Sequence, residues 1–109
     1  MSKPSTLVQG TLDLLILKVL SLEPMHGWAV AQRIEQVTGG VLQIQQGSLY
    51  PSLHRLEQNA WIRASWGESD NHRRAKYYSL TAAGKKRLAH EEKTWESLSG
   101  AIGLVLKLV

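Results

Sequence analysis

Apolar residues recur along this chain in two rhythms, and the rhythms divide it into elements. Residues 7–22, LVQGTLDLLILKVLSL, follow helical spacing. Leu12, Leu15, Ile16, Val19 and Leu20 share one face, and Leu14 and Leu17 lie on the other side. A helix that is apolar nearly all round must be covered on both sides, and in so small a domain the second cover is expected to be another subunit. Glu23-Pro24 ends it, because proline cannot continue the hydrogen-bond ladder. Residues 25–40, MHGWAVAQRIEQVTGG, predict a shorter second helix with Val30, Ile34 and Val37 on one face and Gly39-Gly40 as its stop. After a connector at 41–45, Gln46–Asn59 predicts a third helix, with Pro51 near its first turn. The rhythm then changes to two. Ile62, Ala64 and Trp66 alternate, as do Tyr78 and Leu80, predicting a half-buried hairpin of strands over Trp61–Glu68 and Arg73–Leu80. Ser69-Asp70-Asn71-His72 supplies the turn. Thr81 predicts the N-cap of a long last helix.

On that last helix Leu88, Trp95, Leu98, Ile102, Val105 and Val109 fall at steps of 7, 3, 4, 3 and 4. This is a short heptad seam, interrupted by Glu91 and loosened by Gly100 and Gly103. It is too short to stand alone and is expected to pack on the second face of the first helix, from the same subunit or its partner. Leu12, Leu14, Leu17, Leu88, Leu98, Ile102 and Val105 are therefore the expected homodimer interface, and intramolecular packing in a monomer is the competing arrangement.

The third helix carries the chemistry. Leu49, Leu53 and Leu56 mark its buried stripe; Gly47, Pro51, His54, Arg55 and Gln58 lie opposite, flanked by Ser48 and Tyr50. An apolar inner face with an outer face of donors and acceptors also describes many surface helices. The neighbouring hairpin narrows the choice. Residues 72–78, HRRAKYY, form a basic segment leading into an aromatic strand. A polar helix succeeded by a basic hairpin points to a winged helix-turn-helix that binds DNA. The expected fold is mainly α with a small β-hairpin. Residues 1–80 form the DNA-binding unit and residues 81–109 a C-terminal dimerisation helix.

Composition changes this picture little. With 109 residues the chain makes one domain with a modest core, and 43% of it is apolar. The net charge of +4 and pI near 9.6 lean mildly toward polyanions. A second basic cluster, Lys85, Lys86 and Arg87, reads as a solvated face. The absence of cysteine excludes disulfides and thiolate metal sites. No signal-peptide pattern or membrane-length apolar run is visible, so a cytoplasmic protein without membrane contact is expected. His26, His54, His72 and His90 fall on different elements without ligand-like spacing, and Asp13 is a lone acid on an apolar helix. No nucleophile has an evident base and no glycine-rich loop opens a helix. No catalytic residue, metal or cofactor is expected, and an enzyme is disfavoured.

Several segments, quoted as they stand, resemble the PadR family of bacterial transcription regulators. GSLYPSLHRLEQNAWI is similar to that family's recognition-helix motif, RRAKYYSLTAAG to its wing and the start of its last helix, and MHGWAV to the start of its second helix. LVQGTLDLLILKVLSLEPMHG and the compact C-terminus resemble a subgroup found in acidobacteria and similar genomes, often beside transporter-permease genes. The resemblance implies a cytoplasmic dimeric regulator, usually a repressor of nearby transporter or detoxification genes, with some members responding to small, flat, hydrophobic ligands. The chain departs from the pattern at Ala60, where the family usually has glycine, and at Ala75, where many relatives carry another cation. Ala60 falls where the recognition helix ends in a left-handed residue, a conformation Asn59 is able to take instead.

In this reading a dimer places two third helices in successive major grooves of a pseudo-palindromic duplex, about 34 Å apart. Ser48, Tyr50, His54, Arg55 and Gln58 form the expected base-reading set, with Arg55 on a guanine edge and Gln58 on adenine. His72, Arg73, Arg74 and Lys76 form the expected phosphate-contacting wing. Trp95 is open to two readings: a core or interface aromatic, or, as the resemblance implies, one of two indoles sandwiching a planar ligand between subunits. The functional alternative is a winged helix used only for protein–protein association. That use predicts acidic or bulky apolar residues on the outer helix face and a neutral wing, unlike Arg55 and RRAK here.

Overall fold

The computed structural model describes the backbone of residues 4–68 and 74–109, with side chains from residue 11 onward in those spans. Its elements are α1 (Pro4–Leu22), β1 (Met25–His26), α2 (Gly27–Val37), α3 (Gln46–Gln58), β2 (Ile62–Glu68), β3 (Arg74–Leu80) and α4 (Ala82–Leu106). The order is the expected one: three helices, a hairpin and a long last helix. One element differs in kind. Met25 and His26 are not the first turn of a helix but a short strand, pairing antiparallel with Tyr78 and Tyr77 of β3. The sheet thus has three strands in the order β1-β3-β2. Two residues carry no periodicity, so only the presence of β3 alongside makes them a strand. His26 then turns the chain into α2: its Nδ1 accepts the Ala29 backbone N–H at 3.2 Å, satisfying a donor left over at the helix start.

The core gathers Leu12, Ile16, Leu17 and Leu20 of α1 with Val30, Ala31 and Ile34 of α2 and Leu49, Leu53 and Leu56 of α3. Ile44, Ile62, Tyr78 and Leu88 close it. α1 runs through the middle, touching α2, α3, β3 and α4. Much of the cover expected from a second subunit therefore comes from the chain itself. Leu12, Leu17 and Leu88, expected at a subunit interface, are instead buried in the chain's own core. Leu14 is half-buried, and Leu98, Ile102 and Val105 are exposed.

The end of α3 is built on an unusual residue. Ala60 has φ +60°, whereas Asn59 has φ −83°. Ala60 itself therefore takes the left-handed conformation, and Asn59 does not take it in its place. The Trp61 N–H donates to Leu56 O at 3.1 Å and the Ala60 N–H to Glu57 O at 2.9 Å. This is the paired arrangement that closes a helix around a left-handed residue, and Ala60 occupies the left-handed place. An L-residue there carries roughly 1–2 kcal/mol of strain. Ala60→Gly relieves it, less about 0.4–1 kcal/mol for the freer unfolded chain. The variant is expected to raise the melting temperature by a few degrees in a calorimetric scan, and an unchanged or lowered midpoint would contradict the assignment.

Among the described residues no helix is long and apolar enough to cross a membrane, and no group of three or more His, Asp or Glu side chains is placed to hold a metal ion.

Candidate nucleic-acid interface

Burying Leu49, Ser52, Leu53 and Leu56 against α1 and α2 decides which side of α3 faces outward. Gly47, Pro51, His54 and Gln58 form the exposed meridian opposite that stripe, with Gln46 exposed at its start. Two of the five expected base readers, His54 and Gln58, stand on this line. The others sit on its flanks. Tyr50 is 44% exposed and lies on the side toward the sheet. A methyl group at Gly27 would come within 3.2 Å of its ring, so the ring packs partly on the start of α2. Ser48 is half-buried on the side toward α1.

Arg55 lies on that same flank, and it is engaged. Its Nη2 donates to Asp13 Oδ1 of α1 at 2.7 Å and approaches Ser52 Oγ at 3.4 Å. The lone acid of the first helix therefore has a partner from 42 residues further along. No local pattern could have supplied it. On the opposite flank Glu57 Oε1 accepts from Lys76 Nζ of β3 at 3.4 Å.

The hairpin register places Ile62, Ala64, Trp66 and Glu68 across from Leu80, Tyr78, Lys76 and Arg74. Side chains at these positions share one face. At the base of the hairpin that face is core: Ile62 and Tyr78 are buried. Further out it leaves the core, and Trp66 is 59% exposed. The expectation of a half-buried hairpin thus holds only for its base, because the strands extend past the helices that would cover them. The Arg74 guanidinium lies over the Trp66 ring at 4.7 Å, and the Lys76 ammonium stands 5.5 Å from the centre of the Tyr78 ring. Partial desolvation pulls the Lys76 pKa down, but Tyr78 and the bonded Glu57 outweigh it, so the ammonium is held above its ordinary value. Tyr77 ties the strands together by donating its hydroxyl to Glu68 O at 3.1 Å. His72 and Arg73 lie outside the described residues. Trp66 is legible in the sequence only as a strand residue, and Gln46 only as the first residue of the third helix.

The second basic cluster divides. Lys85 and Lys86 are exposed, whereas Arg87 lies over the Trp61 ring at 4.6 Å and pairs with Glu91 at 2.6 Å. Along α4 the stripe that is buried at Gly84 and Leu88 continues on the same side through Trp95, Leu98 and Ile102. There it is 44%, 51% and 46% exposed, so this half of the seam leaves the subunit's own core.

A polar meridian on a short helix, braced beside a hairpin that carries cations on the adjoining face, defines a winged helix-turn-helix regulator of the DNA-binding class. The Transcriptional regulator PadR-like family matches residues 16–90, and the chain belongs to that family. It is 30% identical over 103 residues to an uncharacterised protein of Lysinibacillus sphaericus, covering 94% of each chain. Among solved structures it is similar to a transcriptional regulator from Clostridium thermocellum, with 27% identity, a TM-score of 0.86 and coverage of 94% of this chain and 99% of that one. It is also similar to a PadR family transcriptional regulator from Eggerthella lenta, with 29% identity, a TM-score of 0.81 and coverage of 95% and 88%. The family consists of transcriptional regulators that bind DNA, not of enzymes.

Proposed function

We propose that this protein is a cytoplasmic, dimeric, sequence-specific repressor acting on a pseudo-palindromic operator near its own gene, with transporter or detoxification genes as its targets. The observation that carries the reading is the exposed line of His54 and Gln58 on α3, set beside a wing whose face toward α3 bears Arg74 and Lys76. In this arrangement α3 enters the major groove. His54 and Gln58 meet base edges, with Ser48 and Tyr50 at the margins of the contact. Arg74 and Lys76, with His72 and Arg73, meet phosphates and set the register. Residues 1–80 read DNA, and residues 81–109 join two copies.

The dimer is supported by the exposed stretch of the α4 seam. Trp95, Leu98, Ile102 and Val105 are large apolar side chains on one helix face beyond the reach of the subunit's core. A second copy brings an equivalent stripe, and two such stripes cover one another about a two-fold axis. Trp95 and its mate then face each other across the interface and form the walls of a site for a planar hydrophobic ligand. Planar dyes are expected to quench tryptophan fluorescence saturably, and a Trp95→Ala variant that still dimerises is expected to lose the effect. Quenching that persists in that variant would remove Trp95 from the site.

The test of the function is fluorescence anisotropy of DNA from immediately upstream of the gene, titrated at two salt concentrations against a random duplex of equal length. Tighter, saturable binding of a dimer to the upstream fragment supports a sequence-specific regulator of its own locus. Equal, salt-sensitive binding to both means that phosphates alone are read or that the operator lies elsewhere. No binding at low salt would replace this reading with one of protein–protein association.

A further inference from the structure

We propose that Asp13 and Arg55 are a positioning pair that fixes the rotation of the recognition helix about its own axis, and that Arg55 reads no base. The proposal rests on α3 being the recognition helix. At 3.6 residues per turn, Arg55 lies about 70° round α3 from the meridian of Gly47, Pro51, His54 and Gln58. Its guanidinium is directed to α1, with Nη2 2.7 Å from Asp13 Oδ1 and 3.4 Å from the hydroxyl of Ser52. Ser52 is itself buried at 1% exposure, so this side of the guanidinium rests on a fixed part of the core.

A bidentate contact to guanine needs two guanidinium N–H groups aimed into the groove. Turning Arg55 outward to provide them would strip Asp13 of its cation. The Asp13 side chain is only 24% exposed, and its neighbours in sequence are Leu12 and Leu14. A carboxylate left there without a partner is unfavourable. The pair therefore has more to hold it closed than an ion pair standing free in water.

The opposite flank explains why such a contact matters. Apolar burial of Leu49, Leu53 and Leu56 sets how deep α3 sits, but the hydrophobic effect is non-directional and fixes rotation poorly. Ion pairs with defined donors and acceptors fix it better. Arg55 braces α3 to α1, Glu57 braces it to the wing through Lys76 at 3.4 Å, and His54 and Gln58 project between the two braces. Groove-facing side chains must be held within roughly 10–20° of the productive geometry to discriminate bases. Two braces, one on each side of the meridian, supply that restraint.

The experiment selects a preferred duplex from a random library with the wild-type protein. Anisotropy is then measured on that duplex, on each single-base-pair variant of it and on random DNA. The proteins are the wild type, Asp13→Asn, Arg55→Gln, the double variant and Arg55→Lys, each with its melting temperature recorded. Positioning predicts that Asp13→Asn and Arg55→Gln weaken binding to the selected duplex by the same factor, roughly five- to tenfold, and that the double variant is no worse than either. The preference is expected to flatten at many base pairs together, while random-DNA affinity changes little. Arg55→Lys, which keeps a cation for Asp13 but lacks the bidentate fork, is expected to retain the preference. If instead Arg55→Gln and Arg55→Lys both erase preference at one base pair while Asp13→Asn leaves it intact or tightens binding, Arg55 reads a base and the proposal is overturned. Unaltered preference in Asp13→Asn also overturns it. A wild-type protein that selects no sequence refutes the DNA-reading function itself, a failure visible before any variant is made.

Discussion

Gly84→Ala is expected to destabilise the fold by about 3 kcal/mol, at the upper end of what overpacking in a tight site produces. At this position the first turn of α4 lies at backbone distance from Trp61, in the link between α3 and β2. A methyl group there would overlap the carbonyl oxygen of Trp61 and lie 2.7 Å from Leu80 Cδ1 and 3.0 Å from the Trp61 carbonyl carbon. The leucine end can swing away, but the carbonyl cannot. It accepts the Thr81 backbone N–H at 3.1 Å, and Thr81 Oγ1 donates to Ala60 O at 2.7 Å while accepting the Gly84 N–H at 2.9 Å. One joint therefore ends α3, starts α4 and needs the missing side chain. To admit a methyl group α4 must move as a whole, withdrawing Leu88 from the core. The check is equilibrium urea unfolding of both proteins. A fall in midpoint without a change in slope is the expected result, accompanied by a drop in melting temperature on the order of 15 °C for a domain of this size. A midpoint close to that of the wild type would mean that α4 does not approach Trp61 so closely.

The second large effect concerns the exposed seam. If two copies pair through this seam as proposed, Ile102→Glu is expected to leave a monomer and to weaken binding to a palindromic operator about 100-fold or more. Two half-sites are then no longer held by one particle, and the gain from linking them is lost. Ile102 is 46% exposed within the subunit, between Leu98 and Val105 on the same face, so a carboxylate there is solvated in the monomer. In the proposed dimer it would be buried against the apolar stripe of the second copy, where a carboxylate without a partner is strongly unfavourable. The variant should keep the wild-type circular dichroism spectrum. Sedimentation and anisotropy on whole and half operators give the outcome. A dimer that persists, or a monomer that binds the whole operator as tightly as the wild type, would sink the prediction.

Most of this architecture is legible because it is written in local rhythm. The helical stripe of Leu49, Leu53 and Leu56 and the capping hydroxyl of Thr81 act within a few residues of themselves, and each is found where spacing places it. Where spacing misleads, the reason is the same each time: the partner is far away in sequence. Met25 and His26 become a strand only because Tyr77 and Tyr78 lie beside them. Periodicity assigns Leu12 and Leu17 to a second subunit because nothing local says how many of the chain's own elements surround α1. Alternation puts Trp66 on a half-buried face because it does not say where the helices covering that face end.

The candidate interface divides the same way. The sequence by itself determined that a polar-faced helix precedes a basic hairpin and a long last helix, since each of these comes from side-chain period and turn chemistry. It also put His54 and Gln58 on the outer face, because they fall opposite the leucines on any α-helix. Only the tertiary structure decided which side chain Arg55 pairs with. Its place on the helix surface allowed either a base or a neighbour, and the approach of α1 brought Asp13 to 2.7 Å. Likewise Lys76 meets Glu57 only because the hairpin folds back beside α3. An amphipathic period is carried by residues three or four apart, whereas an ion pair between elements depends on packing that positions residues tens apart in the chain.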